Sequence, residues 1–273
     1  MRTSCVGGAR NPRRIFEMAR LSQHFLTDAG ALDDIVRAAG VARGDAVLEI
    51  GPGRGALTQP LLAAGARVTA VEIDAAFATA LPGLLKTPEH LSVINEDFLR
   101  FDLASLGPGP WRVVGNLPYA VGTPILQKLL PWDRWTSAAL MFQKEVARRV
   151  VSDVGGADYG LLSLSVKIRA DAEVAFELPP EAFRPRPKVD SAVVVLRRLS
   201  APRVPPEDEK SFWRLARAAF QHRRKMATGT LAAVLGRPRA EVEAAAASVG
   251  IPTRARPEEI PFEAWAALAR SLR

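Results

Sequence analysis

Val47-Leu48-Glu49-Ile50-Gly51-Pro52-Gly53-Arg54-Gly55 is a short apolar run, interrupted by one acid, that breaks into a glycine-rich turn. An apolar run of this length suits a strand buried on both faces of a parallel sheet. The glycines after it let backbone N–H groups approach a ligand without interference from Cβ atoms. Leu57, Leu61 and Leu62 then recur at helical spacing, Gly65 can end that helix, and residues 67–74 read as a second strand. Strand, glycine turn, helix, strand is the βαβ grammar of a parallel α/β sheet.

Outward from this unit the same grammar repeats. Residues 91–97 give a third strand, with a helix containing Phe77, Leu81 and Leu84 before it. Val113-Val114-Gly115-Asn116-Leu117-Pro118-Tyr119 is a fourth strand that must stop at Pro118, which has no N–H for a ladder bond. Thr123 and Pro124 supply a cap and a first helical residue for the helix bearing Ile125, Leu126, Leu129 and Leu130. Residues 138–142 predict a fifth strand, residues 166–178 contain a sixth, and residues 191–199 form a seventh. Upstream, Thr27 and Asp28 can cap a helix with Leu32, Ile35, Val36 and Ala39 on one face. The expected fold is α/β: a Rossmann-like, seven-stranded, largely parallel sheet with helices on both faces.

Beyond Ser200 the composition changes. Pro202, Pro205 and Pro206 predict a stiff linker, and the alanine- and arginine-rich remainder has helical periodicity, with Phe212, Leu215, Ala216, Ala219 and Phe220 on one stripe. The expected division is a basic, flexible arm over residues 1–20, a sheet domain over 21–200 and a small all-α domain over 201–273.

The glycine turn has an acid two residues before its first glycine, and its third glycine comes two residues after the second. The dinucleotide fingerprint wants three. These features favour S-adenosylmethionine over a nicotinamide dinucleotide. Glu72, at the end of the second strand, stands where a carboxylate can accept from ribose hydroxyls, or it is a solvated strand-end acid. Asp97, ending the third, can accept from an adenine amine or cap the following turn.

Asn116 then gains a chemical role. An adenine N6 amine is a poor nucleophile because its lone pair is delocalised into the ring. Hydrogen bonds from it to the Asn116 side-chain oxygen and the Leu117 carbonyl favour a tetrahedral nitrogen, while Tyr119 can stack on the extruded base. Phe183, on the proline-restricted stretch Phe183-Arg184-Pro185-Arg186-Pro187-Lys188, offers a second stacking face or an apolar loop anchor.

The 37 Lys and Arg residues against 29 Asp and Glu give a net charge of +8, which favours an anionic partner. Arg184, Arg186, Lys188, Arg223, Arg224 and Lys225 are candidate phosphate contacts, with solvated helix faces as the alternative for the last three. Cys5 is the only cysteine, so an intramolecular disulfide and a Cys-based metal cluster are excluded, and no metal is expected. No window approaches the roughly 18 apolar residues of a membrane span, and the chain is read as unexported, with no membrane partner, and cytoplasmic.

Together, Gln23-His24-Phe25-Leu26, the turn 49–55, Glu72, Asp97, residues 116–119, Gln143-Lys144-Glu145, residues 183–191 and residues 220–225 resemble the ribosomal RNA adenine dimethyltransferase family, from about residue 21 to the end. The resemblance implies S-adenosylmethionine-dependent N6,N6-dimethylation of two adjacent adenosines near the 3′ end of 16S ribosomal RNA during small-subunit assembly; the expected partner is that RNA in a pre-30S particle, and the expected form a monomer. It implies cofactor contacts at His24, Leu26, Gly51, Glu72, Asp97 and Asn116, and target-base roles for Asn116, Leu117, Tyr119 and Phe183. His24 stands where family members often carry Asn, and Ala120 and Gly122 where they carry Asn and Ser. The competing readings are adenine methylation of large-subunit RNA or of DNA, a non-catalytic assembly factor that keeps the fold, and a nicotinamide oxidoreductase.

Overall fold

A computed structural model describes residues 24–85 and 88–272. The arm expected over residues 1–20 lies outside the described residues. Strands β1 (Phe25–Leu26) and β8 (Phe183–Arg184) pair with each other alone, antiparallel. The main sheet holds β2 (Ala46–Ile50), β3 (Arg67–Glu72), β4 (Leu91–Asn95), β5 (Trp111–Asn116), β6 (Trp135–Gln143), β7 (Ala170–Leu178) and β9 (Ser191–Arg198). Their order is β4-β3-β2-β5-β6-β9-β7, parallel from β4 to β6 and antiparallel at β9 and β7. The chain runs outward from β2 through β3 and β4, then returns to β5 on the other side. The crevice at the carboxyl ends of β2 and β5 is therefore the topological switch point, where open α/β sheets place ligands.

Alternation along the strands explains why both faces are covered. Val47, Val114, Ala139 and Val195 pack into one apolar layer with Ile35 and Leu61. Their neighbours Leu48, Val113, Leu140 and Leu196 pack into the opposite layer with Leu126 and Leu129. Each such side chain taken fully out of water stabilises by about 1.5–3 kcal/mol. Helix α1 (Ala29–Ala38) begins at Asp28, whose carboxylate accepts from the Ala31 N–H at 3.0 Å, and α2 (Thr58–Ala63) and α3 (Ala75–Leu84) follow β2 and β3.

One local expectation changes. Helix α4 starts at Gly122, not behind a Thr123 cap, with Val121 at the cap position (Gly122–Leu129). The Pro118 carbonyl accepts from both the Val121 and Gly122 N–H groups, so the helix starts two residues early. Pro124 still falls in the first turn, where its missing N–H costs nothing. Leu84, on α3, is 63% exposed, while Leu81 is buried.

After β6 come α5 (Lys144–Val151) and α6 (Leu161–Arg169), and after β9 come α7 (Pro206–Phe220), α8 (Ala227–Leu235), α9 (Arg239–Ser248) and α10 (Phe262–Ser271). Phe212, Leu215, Leu231, Val242 and Trp265 of these last helices form a separate core that also takes in Tyr159, Leu164 and Ile168. Val166, on the same α6, packs instead into the sheet layer. The proline segment is seated, not free: Val204 is buried and the Arg203 N–H donates to the Ile168 carbonyl at 2.8 Å. No helix among the described residues is long and apolar enough to cross a membrane.

Candidate active site

The glycine turn is fixed by backbone geometry. Gly53 and Gly55 have φ of +54° and +82°. A Cβ on Gly55 would sit 2.6 Å from Leu81 Cδ1, and one on Gly53 would sit 3.0 Å from the Phe25 ring. Only glycine meets both the left-handed backbone and the close approach. Glu72 locks this turn to the next strand end: Oε2 accepts from the Gly53 N–H and Oε1 from the Asp74 N–H, each at 2.9 Å. Burial holds the Glu72 carboxyl above its ordinary range, although these N–H groups favour the ionised form.

At the end of β5 the Asn116 amide is oriented by its donor side. Its Nδ2 donates to the His24 carbonyl at 2.9 Å. A carbonyl can only accept, so the amide nitrogen is committed there and Oδ1 is left as the acceptor for something else. His24 Nδ1 in turn donates to the Pro185 carbonyl at 2.7 Å, and its ring lies 5.3 Å from the Tyr119 ring at 34°. Tyr119 Oη shares a 2.6 Å hydrogen bond with buried Ser191 Oγ. Burial raises the Tyr119 phenol above its usual range, with the Ser191 bond pulling the other way.

His24, Leu26, Gly51, Glu72, Asn116, Leu117 and Tyr119 line one open cleft of about 890 Å³, including its solvent-filled mouth. Asp97 lines an adjoining, more apolar hollow of about 530 Å³, open solvent included, with Ile50, Val71 and Phe98, and Gly51, Ile73 and Pro118 border both. Asp97 also caps the turn that follows it, accepting from the Leu99 N–H at 2.9 Å. The structure thus brings the strand-end residues of β2, β3 and β5 into one crevice with the β1 segment.

Phe183 is placed differently. It is fully buried, opposite Leu26 across the β1–β8 ribbon and packed in the layer that contains Met141 and Val193, so it presents no stacking face to the cleft. Arg184, Arg186 and Lys188 are exposed beyond it. Arg184 donates to the Phe183 and Glu181 carbonyls at 2.8 and 3.1 Å, and Arg186 pairs with Glu181 at 3.0 Å. Arg223 also has internal work: it donates to the Ala157 and Tyr159 carbonyls, lies over the Phe220 ring and approaches Glu258 at 3.8 Å. Arg224 and Lys225 are exposed.

Sequence reasoning missed the β1–β8 ribbon, because two-residue strands have no periodicity to read. It also missed Ser191, whose signal was a hydroxyl at the head of an otherwise apolar strand.

A seven-stranded sheet with a glycine turn at its switch point, strand-end acids and an oriented strand-end asparagine defines a methyltransferase of the Rossmann-like class. This chain belongs to the ribosomal RNA adenine dimethylase family, whose model matches residues 17–272. It is 46% identical over 263 residues to the ribosomal RNA small subunit methyltransferase A of Paracoccus denitrificans, covering 93% of this chain and 90% of the relative. It is 43% identical over 258 residues to the protein of the same name from Cereibacter sphaeroides, covering 93% and 91%. Among solved structures, the 23S rRNA methyltransferase ErmE superposes with a TM-score of 0.73 at 30% identity, over 91% of this chain and 99% of that one. A dimethyladenosine transferase from Plasmodium falciparum superposes with a TM-score of 0.77 at 25% identity, over 90% and 96%. Family and fold imply a methyl donor of the S-adenosylmethionine type.

Proposed function

We propose that this protein dimethylates N6 of two adjacent adenosines near the 3′ end of 16S ribosomal RNA during small-subunit assembly, using S-adenosylmethionine. The observation that carries this reading is the Asn116 amide, whose nitrogen is tied to the His24 carbonyl and whose oxygen is thereby left to accept from an amine. Relatives named ribosomal RNA small subunit methyltransferase A, at 40–46% identity, support the small-subunit substrate over large-subunit RNA or DNA.

The residues fit the donor. The glycine turn admits a ligand to the backbone, Glu72 retains acceptor capacity for ribose hydroxyls beside its two N–H bonds, and Asp97 faces an apolar slot suited to an adenine ring. When bound, the donor supplies a methyl group already activated for transfer, so the protein's task is positioning. Asn116 Oδ1 and the Leu117 carbonyl hold the N6 hydrogens and release its lone pair from the ring. Tyr119, fixed by Ser191 and flanked by His24, stacks on the base. Phe183 acts as the anchor beneath this wall, not as a second stacking face. Residues 21–200 carry the chemistry and residues 201–273 engage the RNA substrate. Arg184, Arg186, Lys188, Arg224 and Lys225 contact phosphates, and Arg223 positions the last two by clamping the end of α7. The working form is a cytoplasmic monomer on a pre-30S particle, with no membrane partner.

The test is methyl transfer from labelled donor to unmethylated small subunits, large subunits, free RNA and DNA, with the modified base identified. N6,N6-dimethyladenosine in the small subunit is expected. Label confined to the large subunit or to DNA would replace this reading with another substrate, and no label anywhere would leave a non-catalytic factor.

A further inference from the structure

One buried titratable group has no part in the mechanism above. Glu49 sits on the central strand β2, between Ala70 of β3 and Val114 of β5, and lines the floor of the cleft. It is 1% exposed, and its Oε2 has no hydrogen-bond partner. Thr58, fully buried at the start of α2, also leaves its hydroxyl unpartnered. A buried carboxylate with an unpartnered oxygen is costly, so the group takes up a proton unless a cation arrives. Burial raises its pKa to about 8, with the Thr58 hydroxyl pulling it down and Glu72 adding repulsion.

The position of Glu49 within the cleft indicates what would meet it. Asp97 and the apolar slot lie to one side of Gly51 and Pro118, and Glu49 lies to the other, with the glycine turn, Asn116 and Tyr119. On the reading given above, the adenine end of the donor occupies the slot. Its other end, which carries the sulfonium and the α-ammonium, then lies over Glu49. The titratable or charged groups facing that space are His24, Glu72, Asp74 and Tyr119, none of them a fixed cation.

We propose that Glu49 reads the positive charge of the methyl donor, being neutral in the empty cleft and ionising as the cationic end of the ligand enters. The carboxyl O–H bond breaks, the proton passes through the open mouth to buffer, and the carboxylate remains opposite the ligand's positive charge. Loading is therefore coupled to proton release and strengthens with pH. This rests on the cleft being the donor site.

Calorimetric titration of the intact protein with S-adenosylmethionine and S-adenosylhomocysteine, in two buffers of different ionisation enthalpy, measures the protons released per ligand bound. Close to one proton is expected at pH 7 with S-adenosylmethionine, and fewer with S-adenosylhomocysteine, which lacks the sulfonium. Affinity for the donor should rise about tenfold from pH 6 to 7 and level off above about pH 8. Glu49→Gln should bind without releasing the proton and lose the pH dependence; the wild-type titration stands alone if that variant fails to fold. Tight binding by the wild type with no proton release, or release that persists in Glu49→Gln, overturns the role of Glu49 while leaving the cleft as the donor site. Absence of binding by either ligand at any pH overturns both.

Discussion

The proposed cofactor side and the proposed RNA side of this site are built from different materials. On the cofactor side the working parts are backbone: a glycine turn at positive φ, the N–H groups of Gly53 and Asp74 on Glu72, and the His24 carbonyl on Asn116. On the RNA side they are exposed cations at the ends of long side chains, Lys188, Arg224 and Lys225 among them. The β1–β8 ribbon ties residues 24–26 to residues 183–185 by strand pairing and by the His24–Pro185 hydrogen bond. Parts made of backbone tolerate no substitution, because their geometry is set by sterics over a few tenths of an ångström. Parts made of exposed charges act over a screening length of about 8–10 Å and are individually expendable.

That contrast can be broken or sharpened by mutation. The largest effect is expected at the ribbon: Phe183→Ala removes a fully buried ring and should destabilise the fold by about 3–5 kcal/mol in chemical denaturation. A variant of unchanged stability and lost turnover would instead make Phe183 a base-facing residue, and the RNA side would then begin at the ribbon. Next, Asn116→Ala should lower kcat by about 10²–10³-fold, as loss of an oriented polar group in a cleft does. RNA affinity should hold within about twofold by filter binding. A matching loss of affinity would place Asn116 among the binding residues and blur the division. The smallest effect is expected on the far side: Arg224→Ala combined with Lys225→Ala should weaken RNA binding by severalfold at low salt and reduce the salt slope by about 1–2. Unchanged kcat at saturating RNA would confirm that these cations deliver substrate without shaping the reaction.

Much of the sheet was legible because its central strands are buried on both faces and therefore mostly apolar. Residues 46–50, 111–116 and 191–198 stand out for that reason alone. Gly51, Gly53 and Gly55 were equally legible, since clustered glycines after such a strand have few other uses. The Thr123 cap was misread because the Pro118 carbonyl, a backbone group invisible to residue type, closes the turn first. Arg223 looked like its neighbours Arg224 and Lys225, and only packing against Tyr159 and Phe220 separated it from them. Phe183 could be read as a stacking face or a loop anchor, and its 0% exposure supports the anchor.

By itself the sequence determined the seven strands of the main sheet, the glycine turn and the strand-end positions of Glu72, Asp97 and Asn116. These follow from local propensity and periodicity, which are properties of neighbouring residues. Only the tertiary structure decided which end of the Asn116 amide faces the cleft, that Ser191 holds Tyr119, and that Glu49 is buried with one oxygen unpartnered. Each of these depends on groups from 9 to 92 residues apart in the chain meeting in a water-poor crevice. Hydrogen-bond direction and the cost of burying charge are set there by three-dimensional neighbours, which no local pattern records.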